Sequence, residues 1–406
     1  MAFRVSKGRL LDDWQEKSLR NVCSVFDDGD WIESKDQSDS GFRIIQTGNI
    51  GKGEYKDKGD RSRYISLEKF DELKCTEVFE GDLLISRLPE PAGRSALLPI
   101  LGTRCVTAVD CTIVRPNTKL TTSKYLLYFT NTNRYFTNIE NNLSGSTRKR
   151  ISRGNLERIK IQLPPLLEQK RIVKVLESWD RAIEALRRKI ELKKEIKKGL
   201  MQELLTGKTR LPGFSGEWEI KIFGELFSNR DERGTEDLPL LSITSKRGVI
   251  HQSNSNKKDT SNSDKSRYLR ICPGDIGYNT MRMWQGRSAL STIEGLVSPA
   301  YTILSPKNSV ESRYFSYLFK IPRVVYLFFQ KSQGLVSDTW QCRYRDFSIV
   351  KYPIPEYKEQ KAIADFLNAA DKEISALEKK LSLLEDQKKY LLNNLITGAI
   401  RTPEKL

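Results

Sequence analysis

The 406 residues predict an α+β protein built twice. Two duplicated α/β-type lobes are expected, separated by two long helices that form an antiparallel intramolecular coiled coil about a pseudo-two-fold axis. Three observations carry this. Residues 168–210 (EQKRIVKVLESWD…LLTGKTR) align without a gap onto 359–401 (EQKAIADFLNAAD…LITGAIR), with 18 of 43 positions identical. Upstream, GDLLISRLPEPAGRSAL (81–97) matches GDIGYNTMRMWQGRSAL (274–290). Both repeat segments space their apolar residues alternately three and four apart. Self-similarity at a fixed offset is the mark of a repeated architecture. The chain reads as lobe 1–163, helix 164–210, lobe 211–354, helix 355–406.

The elements follow in order. DDWQEKSLRNV opens lobe one as GEWEIKIFGEL opens lobe two, pairing Trp14 with Trp218. FRIIQTGNI (42–50) and LPLLSITSKRGVI (238–250) carry strand patterns at corresponding places. DLLISR and DIGYNT each follow a Gly-Asp turn, with Asp82 and Asp275 cast as turn-bonding carboxylates. DCTIVRP (110–116) and AYTILSP (300–306) are strands ended by proline. Helices KYLLYFTNTNRYFTNIE and SRYFSYLFKIPRVVYLFFQ come next. Each lobe leaves by strand, proline and helix start (IKIQLPPLLEQ; VKYPIPEYKEQ), and LPGFSG (211–216) is a turn-rich link.

The repeat segments contain no proline. In the first, Ile172, Leu176, Trp179, Ile183, Leu186 and Ile190 form a seam; Lys193 and Lys197 interrupt it, and Leu200 and Leu204 resume it. In the second, Ile363, Leu367, Ala370, Ile374, Leu377, Leu381 and Leu384 keep the rhythm; Lys388 interrupts, and Leu391 and Leu395 resume. A sustained 3.5-residue period signals a coiled coil, in which a polar seam residue sets register or faces another partner. Gly207 and Gly398 are placed to end the helices as left-handed caps. Each helix of about 38 residues spans roughly 57 Å at about 1.5 Å per residue. Burial of one against the other within the chain is the simplest outcome; coiled coils between chains are the alternative.

The formal net charge is +17, which points to a polyanion, most economically nucleic acid. The charge is uneven: segment 168–210 carries 13 basic and 7 acidic residues, its repeat 359–401 carries 7 of each. No apolar run reaches membrane-spanning length, and the start MAFRVSKGRLLDDW lacks an apolar signal core. A cytoplasmic protein is expected, its six cysteines reduced. One histidine, His251, argues against zinc and most histidine acid–base chemistry. GKT at 207–209 has Gln202 where a phosphate loop needs glycine. No dinucleotide fingerprint occurs, and no Asp/Asn-Pro-Pro-aromatic motif of an amino-group methyltransferase, LPPLL (163–167) lacking the polar first residue and the aromatic. The chain reads as non-catalytic, with no metal or cofactor of its own.

Between the shared GD and GRSAL the copies diverge, as two readers of different sequences require. Copy one offers Ser86 and Arg87; copy two offers Asn279, Thr280, Arg282, Trp284 and Gln285; Arg94 and Arg287 are shared. Arginine reads guanine bidentately, and Asn or Gln suits adenine. The same arginines could instead hold phosphate or the fold. Gln46, Thr47 and Asn49 stand where lobe two has Ser242, Thr244 and Lys246, either lining a groove or making a turn. The segment 144–154 clusters Arg148, Lys149, Arg150 and Arg153; its counterpart 331–345 carries Lys331, Arg343 and Arg345. Phosphate contact is expected of both.

The order of lobe, proline, EQ-initiated helix ending in LTG, then all of it again, resembles the specificity subunits of type I restriction–modification systems. Pro164 to Gln169 with Leu204 to Gly207, and Pro355 to Gln360 with Leu395 to Gly398, carry the likeness, together with LPGFSGEW and the G-D…G-R repeat. The resemblance implies target recognition lobes that each read half of a bipartite, asymmetric duplex target. It implies a helical spacer that docks two modification (methyltransferase) subunits, and restriction (translocase and nuclease) subunits beyond them. S-adenosylmethionine, ATP and magnesium would belong to those partners. The other reading of the residues is a coiled-coil scaffold whose lobes bind proteins and not DNA.

Overall fold

The computed structural model describes residues 4–5, 13–146, 149–235, 237–244, 247–255, 265–335 and 339–403. The chain divides into two compact units, Met1–Leu186 with Lys380–Leu406, and Arg187–Lys379. Each unit holds one lobe with part of each long helix, Leu166–Leu204 and Tyr357–Ile396.

Each lobe closes on itself. Strand Gln15–Ser18 at the start of lobe one pairs antiparallel with Lys160–Leu163 at its end, and Glu219–Ile222 with Lys351–Ile354 does the same in lobe two. This brings the opening tryptophan to the helix start. Trp14 Nε1 donates to Glu168 at 3.2 Å, and Trp218 Nε1 to Glu359 at 3.1 Å. The neighbouring glutamines are also spent on the lobe: Gln169 Nε2 reaches the Leu120 and Pro164 carbonyls, and Gln360 Nε2 the Ser309 and Pro355 carbonyls. The EQ pair is thus the weld between lobe and helix.

A four-stranded antiparallel sheet forms each core. Its order is Cys23–Asp28, Cys111–Pro116, Leu83–Ser86, Ser95–Leu97 in lobe one and Phe227–Asn229, Tyr301–Pro306, Ile276–Asn279, Ser288–Leu290 in lobe two. In lobe one a second sheet pairs Phe42–Ile45 parallel with Cys105–Thr107. Lobe two has two hairpin-like pairs, Leu241–Thr244 with Gly248–His251 and Leu269–Ile271 with Gly295–Val297, joined by a parallel bridge from Leu240 to Leu296. The stretch 238–250 therefore holds two paired strands rather than one. The helical stretches also split: Thr132 caps Asn133–Asn141, and Pro322 begins Pro322–Lys331. The turn aspartates act as expected, Asp82 Oδ2 accepting from Phe79 N at 2.9 Å and Asp275 Oδ2 from Cys272 N at 2.8 Å.

The helices run antiparallel within each unit. In the first unit Ile172, Leu176, Ile183 and Leu186 are buried, with Leu391 and Leu395 of the second helix; Trp179, Leu381 and Leu384 are half-buried. In the second unit Ile190, Leu204, Ile363, Leu367 and Ile374 are buried, while Leu200, Ala370 and Leu377 are half-buried. Near the lobes burial widens past a two-position seam to include Val173, Val175, Leu392 and Ile396, because the helix ends also cover the lobe core. Of the seam lysines, Lys193 pairs with Glu373, while Lys197 and Lys388 each find an aspartate and a tyrosine. Lys197 Nζ lies 2.5 Å from Asp371, whose other oxygen accepts from Tyr317 at 2.7 Å. Lys388 pairs with Asp180, which accepts from Tyr128 at 2.6 Å. Asp180 and Asp371 are equivalent repeat positions, so each pairing fixes register by the same device. Gly207 and Gly398 end the helices at φ of 71° and 73°, where a side chain would be strained. Among the described residues, no helix is long and apolar enough to cross a membrane.

Candidate nucleic-acid interface

In both lobes the divergent insert and the basic segment meet. Ile151 N donates to the Arg87 carbonyl at 3.2 Å, and Cys342 N to the Thr280 carbonyl at 2.9 Å. Two sequence features more than 50 residues apart are thereby laid side by side at the end of the central strand, in the same place in each copy. Lys149, Arg150 and Arg153 are exposed there in lobe one, and Lys331, Arg343 and Arg345 in lobe two. Arg148 lies outside the described residues, as does Lys246. Exposed cations beside backbone turns suit phosphate contacts.

The inserts differ from expectation in lobe one. Arg94 is 9% exposed, and its guanidinium meets four carbonyls: Nε to Ile50 at 2.6 Å, one terminal nitrogen to Leu88 at 2.8 Å and Pro91 at 3.0 Å, the other to Thr47 at 2.8 Å. Burial pulls its pKa down, desolvation being the main cause. Arg87 is buried between Asp28 at 3.2 Å and Asp110 at 3.5 Å, and also donates to the Val109 carbonyl. Ser86 is fully buried. Asn49 is buried too, accepting from Gln46 N at 3.0 Å and donating to the Lys56 carbonyl at 2.9 Å. These four residues are largely buried and bonded within the lobe, Ser86 at the end of a core strand and the other three tying loops together. Gln46 and Thr47 are half-buried, and Gln46 Oε1 accepts from Lys58 at 3.1 Å.

Gln46 does line an open cleft of about 550 Å³, with Trp31, Lys35, Gln37 and Arg63. Trp31 is 70% exposed. Sequence reasoning missed it; its signal was a lone tryptophan within the polar run GDWIESKDQ. Asp30 and Glu33 line the same cleft, Glu33 Oε1 accepting from Trp31 Nε1 at 3.1 Å, so the exposed ring sits among both charges and amides.

Lobe two presents more of its insert. Arg287 and Gln285 are exposed; Asn279, Thr280, Arg282 and Trp284 are half-buried. Gly286, between them, has φ of 70° and no room for a Cβ beside Val325. Asn279 Oδ1 accepts from Met281 N at 2.9 Å, and Trp284 Nε1 donates to the Met281 carbonyl at 3.0 Å. Trp284 packs edge-on to Trp340 at 5.3 Å, which packs on Phe329 at 4.9 Å. An aromatic ladder therefore stands where lobe one has its basic hairpin. Thr244 closes its own hairpin, donating to the Gly248 carbonyl at 2.9 Å, and Ser242 bonds Gln252.

Comparison with known proteins agrees with this layout. A family model described as type I restriction modification DNA specificity domain matches residues 11–194 and 218–385. The putative type I restriction enzyme MjaX specificity subunit of Methanocaldococcus jannaschii is 27% identical over 430 residues, covering 97% of this chain and 95% of the relative. A chain solved in work on complex assembly and conformational transition of the type I R-M system superposes with TM-score 0.60 at 15% identity, over 97% of this chain and 100% of that one. The HsdS subunit from Thermoanaerobacter tengcongensis gives TM-score 0.51 at 16% identity, over 96% and 98%. Two copies of the matched domain, each ending in a long helix, make this chain a member of the type I restriction modification DNA specificity family.

Proposed function

We propose that the chain is the non-catalytic sequence-reading subunit of a type I restriction–modification assembly. Each lobe reads one half of a bipartite duplex target, and because the inserts differ, the halves differ. The observation that carries this reading is the shared corner: one frame, built twice, with divergent side chains set beside exposed arginines. The paired helices set the spacer and dock two modification subunits. Leu192 and Leu383 support the docking role. They are equivalent repeat positions, 57% and 62% exposed, and Leu167, Ile196, Phe366 and Tyr390 of the same helices are exposed as well. Restriction subunits complete the assembly, and S-adenosylmethionine, ATP and magnesium serve chemistry in those partners.

The test is duplex binding by the chain with its modification partner across a salt series. Affinity that falls steeply as salt rises, together with enrichment of one bipartite sequence from a random library, is the expected result. Salt-independent behaviour without duplex binding returns the scaffold reading.

A further inference from the structure

Lobe one fills the space at the end of its central strand with its own arginine, Arg87, clamped between Asp28 and Asp110. Strand register carries these positions into lobe two. Ser86 opposes Cys111 and Asn279 opposes Tyr301, so Thr280 replaces Arg87 and Ala300 replaces Asp110. Asp28 opposes Thr112; continuing from Asn229 opposite Leu304, Asp231 takes its place. The threonine is too short to fill the gap, and the alanine offers no carboxylate. What remains in lobe two is an open cleft of about 560 Å³, walled by Asn229, Asp231, Thr280, Tyr301, Gln341 and Arg343. Small-molecule sites span about 300–1,000 Å³. Asp231 is exposed and makes no ion pair among the described residues. Arg343 is exposed at the rim, its Nε 3.1 Å from Gln341 Oε1.

We propose that this cleft is a base-reading subsite that lobe one lacks, taking the exocyclic amino group of an adenine or cytosine against Asp231, with Arg343 on the flanking phosphate. An ionised carboxylate only accepts hydrogen bonds. In the major groove it suits the amino groups of cytosine and adenine, and it repels the guanine O6 and thymine O4 oxygens. One half-site therefore has a position that demands an amino-bearing base, and the other half-site has no such position from the equivalent corner. The subsite rests on the DNA-reading function proposed above.

The experiment uses the full chain with its modification subunits and selects duplexes from a random library. Two variants are compared with wild type: T280R/A300D, which installs the lock of lobe one, and D231N, which keeps the shape and removes the charge. The first is expected to erase preference at one position of a single half-site and leave the other half-site intact. D231N is expected to lower the preference for amino-bearing bases at that same position tenfold or more. Wild-type enrichment with both variants selecting an unaltered target overturns the subsite while leaving the function standing. No enriched sequence even for wild type overturns the function, and the subsite with it. If the double variant misfolds, seen as loss of both half-sites, D231N decides on the same two outcomes.

Discussion

Charge removal at the two helix starts should hurt the second unit more than the first. Glu168 is 2% exposed; besides Trp14 it receives Arg401 Nε at 2.8 Å and a second nitrogen of the same guanidinium. Glu359 is 1% exposed and receives Arg210 through two nitrogens at 2.6 Å. Glutamine keeps the shape and discards the charge. Breaking a buried pair costs about 3–5 kcal/mol when the surviving ion has no other partner. Arg401 keeps Asp13, at 3.1 and 2.8 Å. Among the described residues Arg210 keeps the Gly216 carbonyl at 2.7 Å and its place 5.5 Å over the Trp218 ring. Both guanidiniums are about a quarter exposed, so water recovers part of each loss. E359Q should cost about 3 kcal/mol and E168Q about half that. At about 1.4 kcal/mol per tenfold, local opening rises about 150-fold and about 10-fold. Native-state hydrogen exchange on peptides spanning 207–222 and 398–402 reads the two openings separately. Unchanged protection, or equal losses in the two units, would refute the argument. E359Q/R210M should recover much of the loss, since a pair removed together leaves no stranded charge; additive losses would contradict that.

Other outcomes follow from the same contacts. R94M leaves four carbonyls without their donor at about 1 kcal/mol each and should lower the melting temperature of lobe one. R287M should change stability by under about 0.5 kcal/mol yet weaken duplex binding and flatten its salt slope by about 0.9 if one phosphate contact is lost; calorimetry and a salt titration must not give the reverse ranking. K197M and K388M should raise thermal stability while permitting mispaired, self-associated helices, because a polar seam residue buys register at the expense of stability; sedimentation showing only monomer would count against it. One heptad inserted into both helices adds about 10.5 Å at about 1.5 Å per residue. That should lengthen the spacer by about three base pairs, at about 3.4 Å of strand each, with both half-sites kept; mapping of methylated adenines reads the spacer directly.

The helices were legible because their periodicity reports burial at every turn, and an ungapped repeat supplied the comparison that one sequence otherwise lacks. The site was legible only in part. Arg87 looked like a reader of guanine because the sequence displays its type but not Asp28 and Asp110, which other strands bring to it. Arg94 and Arg287 occupy matching positions, yet one is buried and the other exposed. The difference arises from the 47–50 loop, whose carbonyls reach Arg94 in lobe one. An exchange of residues 86–92 with 279–285 would therefore strand two acids in lobe one rather than simply transplant specificity. Trp31 and Asp231 were missed because exposure beside a cleft is a property of the assembled sheet. Thr244 and Asn49 were read as candidates for a groove, but short polar side chains close turns as readily as they read bases.

The Gly-Asp turn shows how duplication preserves a physical demand while releasing the residue that meets it. Asp82 and Asp275 are both buried carboxylates and both need a cation. In lobe one the cation is Arg115, at 2.8 Å through two nitrogens, on the strand beside Asp82. In lobe two it is Arg230, at 2.7 and 3.3 Å, from the next strand over. In each pair the hydrogen bond that the arginine donates to the aspartate raises the arginine's pKa. Register equates Arg115 with Ser305, and Arg230 with Asp27. Ser305 itself accepts from Arg230 at 3.2 Å, so the position that lost the arginine now helps to aim its replacement. R115S alone should cost lobe one about 3 kcal/mol, the loss of a partner to a buried acid. Adding D27R should restore at least half, since it recreates the arrangement of lobe two; Arg153, which now sits 3.6 Å from Asp27, retains Glu157 at 3.5 Å. Denaturant unfolding of lobe one measures both steps. A double variant no more stable than R115S would mean that the two solutions depend on their separate surroundings, and that equivalence of strand register does not carry equivalence of side-chain reach.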